Sequence, residues 1–280
     1  MSILGIDIGS VSIAAVVAEK DGTIGATDYR FHRGEIERSL AESFEALGVY
    51  SAEAVVRTRN SPDVIEGAWT VDDRVSFMKA ADRRFEQPGS LLIVGAETFS
   101  IIHFGEDGSY KRLRTNSSCA AGTGSFLDQQ ARRLSLSGSG ELSELAISNE
   151  GELPKIASRC AVFAKTDLIH AQAEGYGLAE ICDGLCLGLA KNITDTLVSD
   201  EAPPKPVVFA GGVSKNGAVA GHLEELLRTE IRTDEYGPVF GAYGAALAYV
   251  DGEARRPKSE PPAGRLDPGA SIRATTKQRE

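Results

Sequence analysis

Two cysteines stand in surroundings suited to thiolate chemistry. Cys119 lies in Asn116-Ser117-Ser118-Cys119-Ala120-Ala121-Gly122-Thr123-Gly124, and Cys160 in Ser158-Arg159-Cys160-Ala161-Val162-Phe163-Ala164. Gly122 and Gly124 let the backbone pack close around a bound inorganic group and aim the N–H groups of a following helix at it, where they stabilise negative charge. Two thiols are half a ligand set, since an iron–sulfur cluster generally takes four thiolates. Two copies of the chain facing one another across a two-fold axis would complete it, making a cluster-bridged dimer. The competing readings are plain packing, because buried free cysteine behaves as a small apolar residue, and a site built from all four cysteines of one chain. Cys182 and Cys186 share a helix face at i, i+4 among apolar residues and glycines, which reads as close helix packing. His32, His103, His170 and His222 are scattered without zinc spacing and read as surface or packing residues.

A second constellation suits phosphate. The chain begins with the apolar run Leu4-Gly5-Ile6-Asp7-Ile8-Gly9-Ser10-Val11-Ser12, followed by another from Ile13 to Ala18. Strand, tight glycine turn and strand make a hairpin whose N–H groups can cradle phosphate oxygens at Gly9, Ser10, Val11 and Ser12, with Asp7 placed to hold Mg²⁺ directly or through water. A similar strand-to-turn passage recurs at Ile93-Val94-Gly95-Ala96-Glu97-Thr98. There Gly95 and Ala96 would again face phosphate, and Glu97 could orient the attacking water or help hold Mg²⁺. Further on, Val207-Val208-Phe209-Ala210-Gly211-Gly212-Val213-Ser214-Lys215-Asn216 is a buried-strand run ending in a glycine pair. Base and ribose can approach the backbone closely at Gly211, Gly212 and Val213, with Asn216 beside them.

These elements need a frame that presents turns at the ends of parallel strands. Residues 3–9, 13–19 and 23–32 read as three strands, separated by the first turn and the Asp21-Gly22 hairpin signal. Ile36, Leu40, Phe44 and Leu47 repeat at helical spacing, 54–58 reads as a short parallel strand, and 72–84 as a helix ending before Pro88. The pattern then restarts at Ser90, with a strand, a glycine turn, the strand 99–104 and a second hairpin signal at Asp107-Gly108. This recurrence predicts two related lobes with nucleotide in the cleft between them. Helices are expected at 124–134, 166–173 and 178–198, with a Ser/Gly-rich loop at 135–140. We place an N-terminal nucleotide-binding lobe at 1–88, the C-terminal lobe with the cysteines at 89–250, its last helix free to return to the first lobe, and a disordered tail or linker at 251–280.

Composition sets outer limits. The 280 residues suffice for one large domain or two modest lobes, and 42% hydrophobic with 25% charged residues is an ordinary soluble composition. A formal net charge of −10 disfavours nucleic acid and anionic membrane as partners. No basic leader and no run of about 18 apolar residues is present, so a cytoplasmic protein is expected. In a reducing compartment four cysteines favour metal ligation, redox work or packing over disulfides.

Together these motifs resemble the activator ATPases of 2-hydroxyacyl-CoA dehydratases and benzoyl-CoA reductases. Cys119–Leu127, which reads Cys-Ala-x-Gly-Thr-Gly-x-Phe-Leu, and Arg159–Ala164, which reads Arg-Cys-x-Val-Phe-Ala, carry the resemblance most specifically. It covers roughly residues 3–250 and implies an α/β, duplicated, two-lobed actin/Hsp70/sugar-kinase-like (ribonuclease H-like) fold. It also implies ATP and Mg²⁺ as cofactors, and one [4Fe-4S] cluster per homodimer held by Cys119 and Cys160. The implied role is electron donation to an iron–sulfur dehydratase or reductase, with a ferredoxin or flavodoxin as the upstream donor. The chain departs from the family at two points: Ile93 stands where a carboxylate is usual with Glu97 replacing a glutamine, and Ala14 stands where lysine is common. The alternatives are a small-molecule kinase of the same superfamily and a nucleotide-binding regulatory subunit.

Overall fold

The structure is a computed structural model that describes residues 2–116, 123–157, 161–198, 202–257 and 267–272, with 161–165 described for the backbone alone. Cys119 and Cys160 lie outside the described residues. The chain forms two compact units, one of Met1–Arg84 with Pro238–Glu280 and one of Phe85–Gly237.

The first unit is built on β1 (Ser2–Ile8), β2 (Ser12–Glu19), β3 (Ile24–Phe31), β4 (Ala54–Thr58) and β5 (Trp69–Val71), in the sheet order β3-β2-β1-β4-β5. β1 to β3 form an antiparallel meander, and β4 and β5 add in parallel beside β1. The Asp21-Gly22 hairpin closes as its sequence predicts, with Gly22 at φ +83° and the Asp21 carboxylate accepting from Thr23 N–H at 2.8 Å. Helix α1 (Ile36–Leu47) carries its apolar stripe, and Leu40 and Phe44 bury against Ile6, Ile13 and Val55, worth about 1.5–3 kcal/mol each. Gly48 stops it at φ +64°, returning its N–H to Glu45 and Phe44 carbonyls. Helix α2 is Asp73–Arg84.

The second unit repeats that plan. Strands β6 (Ser90–Val94), β7 (Phe99–Phe104), β8 (Tyr110–Thr115), β9 (Val207–Ala210) and β10 (Ile231–Thr233) take the order β10-β9-β6-β7-β8. β6 to β8 are an antiparallel meander, with β9 and β10 parallel beside β6. Its helices are α3 (Gly124–Arg133), α4 (Ser139–Ile147), α5 (Ala161–Glu174), α6 (Leu178–Leu197) and α7 (Gly217–Leu227). The loop expected over 135–140 gives way at Ser139 to α4, which buries Leu142 and Ala146 although its sequence is short and serine-rich. Cys182 and Cys186 are fully buried in α6. Burial pushes the Cys182 thiol up to about 11 and Cys186 higher still, so both stay neutral thiols that pack, as expected for this pair.

Helix α8 (Phe240–Val250) belongs to the first unit, and every residue from Phe240 to Ala248 in it is buried. Its glycines explain how a helix sits that deep. A side chain at Gly244 would overlap the Ser76 carbonyl of α2, and one at Gly5 of β1 would overlap the Ala242 carbonyl of α8. Beyond α8, Arg255 exchanges two backbone hydrogen bonds with Thr70 of β5, at 2.8 and 3.0 Å. Ile272 bridges to Ile65. Composition alone gave no sign of either contact. Among the described residues no helix is long and apolar enough to cross a membrane.

Candidate functional site

The first glycine turn joins β1 to β2, with Gly9 N–H donating to Ser12 O at 2.9 Å. Gly9 and Ser10 are exposed, and Val11 and Ser12 partly so. His32 props the turn from beneath. Gly34 N–H donates to its Nδ1 at 3.0 Å, which places the ring proton on Nε2, 3.3 Å from the Gly9 carbonyl that accepts it. The His32 N–H also donates to Val11 O at 3.0 Å. This histidine, expected to be a surface or packing residue, is buried and fixes the turn's shape.

Asp7 precedes that turn on β1 and is partly buried. Its Oδ1 accepts from Thr58 Oγ1 at 2.7 Å, while Oδ2 faces Gly241 at the start of α8, where any Cβ would overlap it. Burial raises its carboxyl to about 6; the Thr58 hydrogen bond opposes the rise, and the nearby Asp73 charge adds to it. Asp73 is itself raised, chiefly by burial, although Asn60 N–H donates to it at 3.2 Å. A carboxylate raised by burial and by a neighbouring acid would be relieved by a cation, so Asp7 is the residue here that could hold one.

The second turn has the same backbone and different chemistry. Gly95 N–H donates to Thr98 O at 2.8 Å, the counterpart of Gly9 and Ser12. Register puts Ile93, paired with Ser100, where Asp7 pairs with Ala14, so no carboxylate precedes the turn. Glu97 is exposed and occupies the place of Val11. The first N–H groups of α3 hold this turn: Gly124 donates to Gly95 O at 3.0 Å and Ser125 to Ala96 O at 2.9 Å. A Cβ at Gly124 would stand 3.1 Å from that same Gly95 carbonyl, so a side chain there would require the turn to give by a few tenths of an ångström.

Gly211 follows β9 at φ +90°, pressed against the Val94 backbone so closely that a side chain would overlap it. A single 3₁₀ turn, Gly212–Lys215, then leads to Asn216. Gly212 is partly buried and Val213 buried. Asn216 is buried as well, caps α7 by accepting from Val219 N–H at 2.9 Å, and lies 3.7 Å from the Cys186 sulfur.

The expected residues therefore gather at three strand ends, one in the first unit and two in the second. Asp7, Gly9, Ser10, Val11 and Ser12 lie together at the end of β1 in one unit, and Gly95, Ala96, Glu97, Gly211, Gly212 and Val213 at the ends of β6 and β9 in the other. Thr58 and Ser61 went unnoticed in the sequence, and His32 was read only as a surface or packing residue; the available signal was Thr58-x-x-Ser61 at the end of a parallel strand. Among the described residues no three His, Cys, Asp or Glu side chains converge to hold a metal ion.

Two sheets of one topology, each meander turning on a glycine, define the two-lobed ATPase fold that actin and the sugar kinases share. Within that class the chain belongs to the BadF/BadG/BcrA/BcrD ATPase family, which its residues 4–248 match. It is 28% identical to the (R)-2-hydroxyglutaryl-CoA dehydratase activating ATPase of Acidaminococcus fermentans, covering 87% of this chain and 95% of that one. It is 29% identical to the activator of lactoyl-CoA dehydratase of Anaerotignum propionicum, covering 88% and 96%. The crystal structure of the Acidaminococcus fermentans (R)-2-hydroxyglutaryl-CoA dehydratase component A superposes with a TM-score of 0.78 at 26% identity, over 90% of this chain and 99% of that one.

Proposed function

We propose that this protein is an ATP-dependent electron donor that reduces a partner iron–sulfur dehydratase or reductase at low potential. The observation that carries the proposal is the family match over residues 4–248, with near full-length similarity to proteins named as dehydratase activators. Asp7 would hold Mg²⁺, and the Gly9–Ser12 and Gly95–Ala96 backbones would cradle the phosphates. Glu97, exposed at the second turn, would orient the attacking water. Gly211, Gly212 and Val213 would lie against base and ribose, while the inward Asn216 would support them through α7. When bound, Mg²⁺ supplies positive charge for the β- and γ-phosphate oxygens.

The electron-transfer half rests on the sequence around Cys119 and Cys160 together with the names of the relatives. Two cysteines from each copy would hold one four-iron cluster in a homodimer, which stores one electron delivered by a ferredoxin or flavodoxin. ATP favours the donating conformation only through a difference in its affinity for the two states.

Iron and acid-labile sulfide in anaerobically purified protein test this reading, with about four of each expected per dimer. Cys119→Ser and Cys160→Ser should lose both while ATP affinity holds; Cys182→Ala and Cys186→Ala should keep both. Full iron content in Cys119→Ser would overturn the bridged cluster, and an iron-free parent that still binds ATP would leave the nucleotide-binding regulatory subunit standing.

A further inference from the structure

We propose that Thr58 and Ser61 are positioning residues that aim Asp7 through a one-way relay of buried hydroxyls; this deepens, and rests on, the reading of Asp7 as the Mg²⁺-holding carboxylate. Both side chains are sealed from solvent, Thr58 at 0% exposure and Ser61 at 3%. Thr58 Oγ1 lies 2.7 Å from Asp7 Oδ1 and 2.7 Å from Ser61 Oγ, and Ile8 N–H donates to Ser61 Oγ at 2.8 Å.

Chemistry fixes every proton in that chain. An ionised carboxylate only accepts and a backbone N–H only donates. The Thr58 proton therefore goes to Asp7, the Thr58 oxygen takes the Ser61 proton, and the Ser61 oxygen takes the Ile8 N–H. The relay starts at the backbone one residue beyond Asp7 and returns to the Asp7 side chain, so the carboxylate plane is tied to its own strand. Oδ1 is thereby occupied, and Oδ2 lies in the space that the missing Cβ of Gly241 leaves. The loop bearing Ser61 is pinned in turn: Arg57 donates to the Ser61 carbonyl at 2.8 Å and pairs with Asp63 at 3.2 Å.

The second unit shows that the fold does not need this device. Thr58 follows Arg57, which pairs with Ile6, and Ala210 follows Phe209, which pairs with Leu92. Thus where Ile93 replaces Asp7, Ala210 replaces Thr58 on the neighbouring strand. Carboxylate and hydroxyl are present together in one unit and absent together in the other, as expected of groups that serve one another.

The test compares ATP affinity by calorimetry in Mg²⁺ and in EDTA, with steady-state hydrolysis and melting temperature, for the parent, Thr58→Val, Thr58→Ser, Ser61→Ala and Asp7→Asn. Thr58→Val should reduce both the Mg²⁺-dependent gain in affinity and kcat by about 10–100-fold, leaving affinity in EDTA unchanged. Thr58→Ser, which keeps the hydroxyl, should recover to within about 3-fold of the parent. Ser61→Ala should shift the same quantities in the same direction by less, and it decides the matter if Thr58→Val does not fold. Parental Mg²⁺ dependence in folded Thr58→Val or Ser61→Ala, alongside its loss in Asp7→Asn, would overturn the relay alone. Parental Mg²⁺ dependence in Asp7→Asn would overturn the assignment of Asp7 itself.

Discussion

The two glycine turns share a backbone and almost nothing else. Each closes with one hydrogen bond from its glycine N–H to the carbonyl three residues on, at 2.9 and 2.8 Å, between strands in matching register. The first is preceded by Asp7, braced by Thr58 and propped by His32. The second is preceded by Ile93, carries an exposed Glu97 and leans on the N-terminus of α3. Duplication has conserved the geometry that exposes N–H groups, because that geometry is backbone and survives substitution. The charged side chains that act beside it have gone separate ways, one turn keeping its carboxylate before the glycine and the other after it. Under the proposed function this difference would divide the labour, with metal holding assigned to the first turn and water positioning to the second.

The largest expected effect tests that asymmetry directly. Asp7→Asn should lower Mg²⁺-dependent ATP hydrolysis by about 10³-fold, near 4 kcal/mol of barrier, whereas Ile93→Asn should leave the Mg²⁺ requirement intact. Equal losses in the two variants, measured as turnover against Mg²⁺ concentration, would dissolve the distinction. Next comes the strand end. Gly211→Ala forces φ +90° on a residue with a Cβ and drives that Cβ into Val94, so a loss of about 3 kcal/mol in urea unfolding is expected.

Smaller still is the effect at the second turn. Glu97→Ala should slow hydrolysis about 10–30-fold with ATP affinity preserved, Glu97→Gln should retain more activity, and Val11→Ala should change neither. A fall in affinity rather than kcat would move Glu97 from the water to the nucleotide. The smallest effect is on stability. Asp7 titrates at about 6 in the folded chain against 3.8 ordinarily, so the stability it contributes is full below the lower value and lost as pH rises through the higher. In metal- and nucleotide-free protein, Asp7→Asn should therefore melt with the parent near pH 3.5 and a few degrees above it at pH 8. A gain that does not grow with pH would remove burial as the cause of the shift.

Much of this arrangement was legible in the residues. Continuous apolar runs, the Asp21-Gly22 and Asp107-Gly108 signals and the recurring glycine turns suffice for two meanders and their duplication. Strands β5 and β10 span three residues each, too short for periodicity to register, and α4 starts inside a stretch whose serines and glycines imitate a loop. The relay was invisible for a different reason. Thr58, Ser61 and Asp7 are separated by 51 and 3 positions, and only the parallel pairing of β1 with β4 turns that separation into a 2.7 Å contact. His32 likewise gains its role from β3 running back beneath the turn.

The pairing of Arg255 with Thr70 bears on how the molecule behaves in a crowded solution. β5 is the last strand of its sheet, and an uncovered outer strand is a template on which other chains can add and aggregate. Two hydrogen bonds from Arg255 occupy that template, and the Arg256 guanidinium caps the Trp69 ring at 5.7 Å. In the second unit one of the two outer strands carries charge, since β8 exposes Lys111 and Arg112 and a second copy brought alongside it would be repelled. The residues after α8 thus close part of an edge on which another chain could otherwise pair.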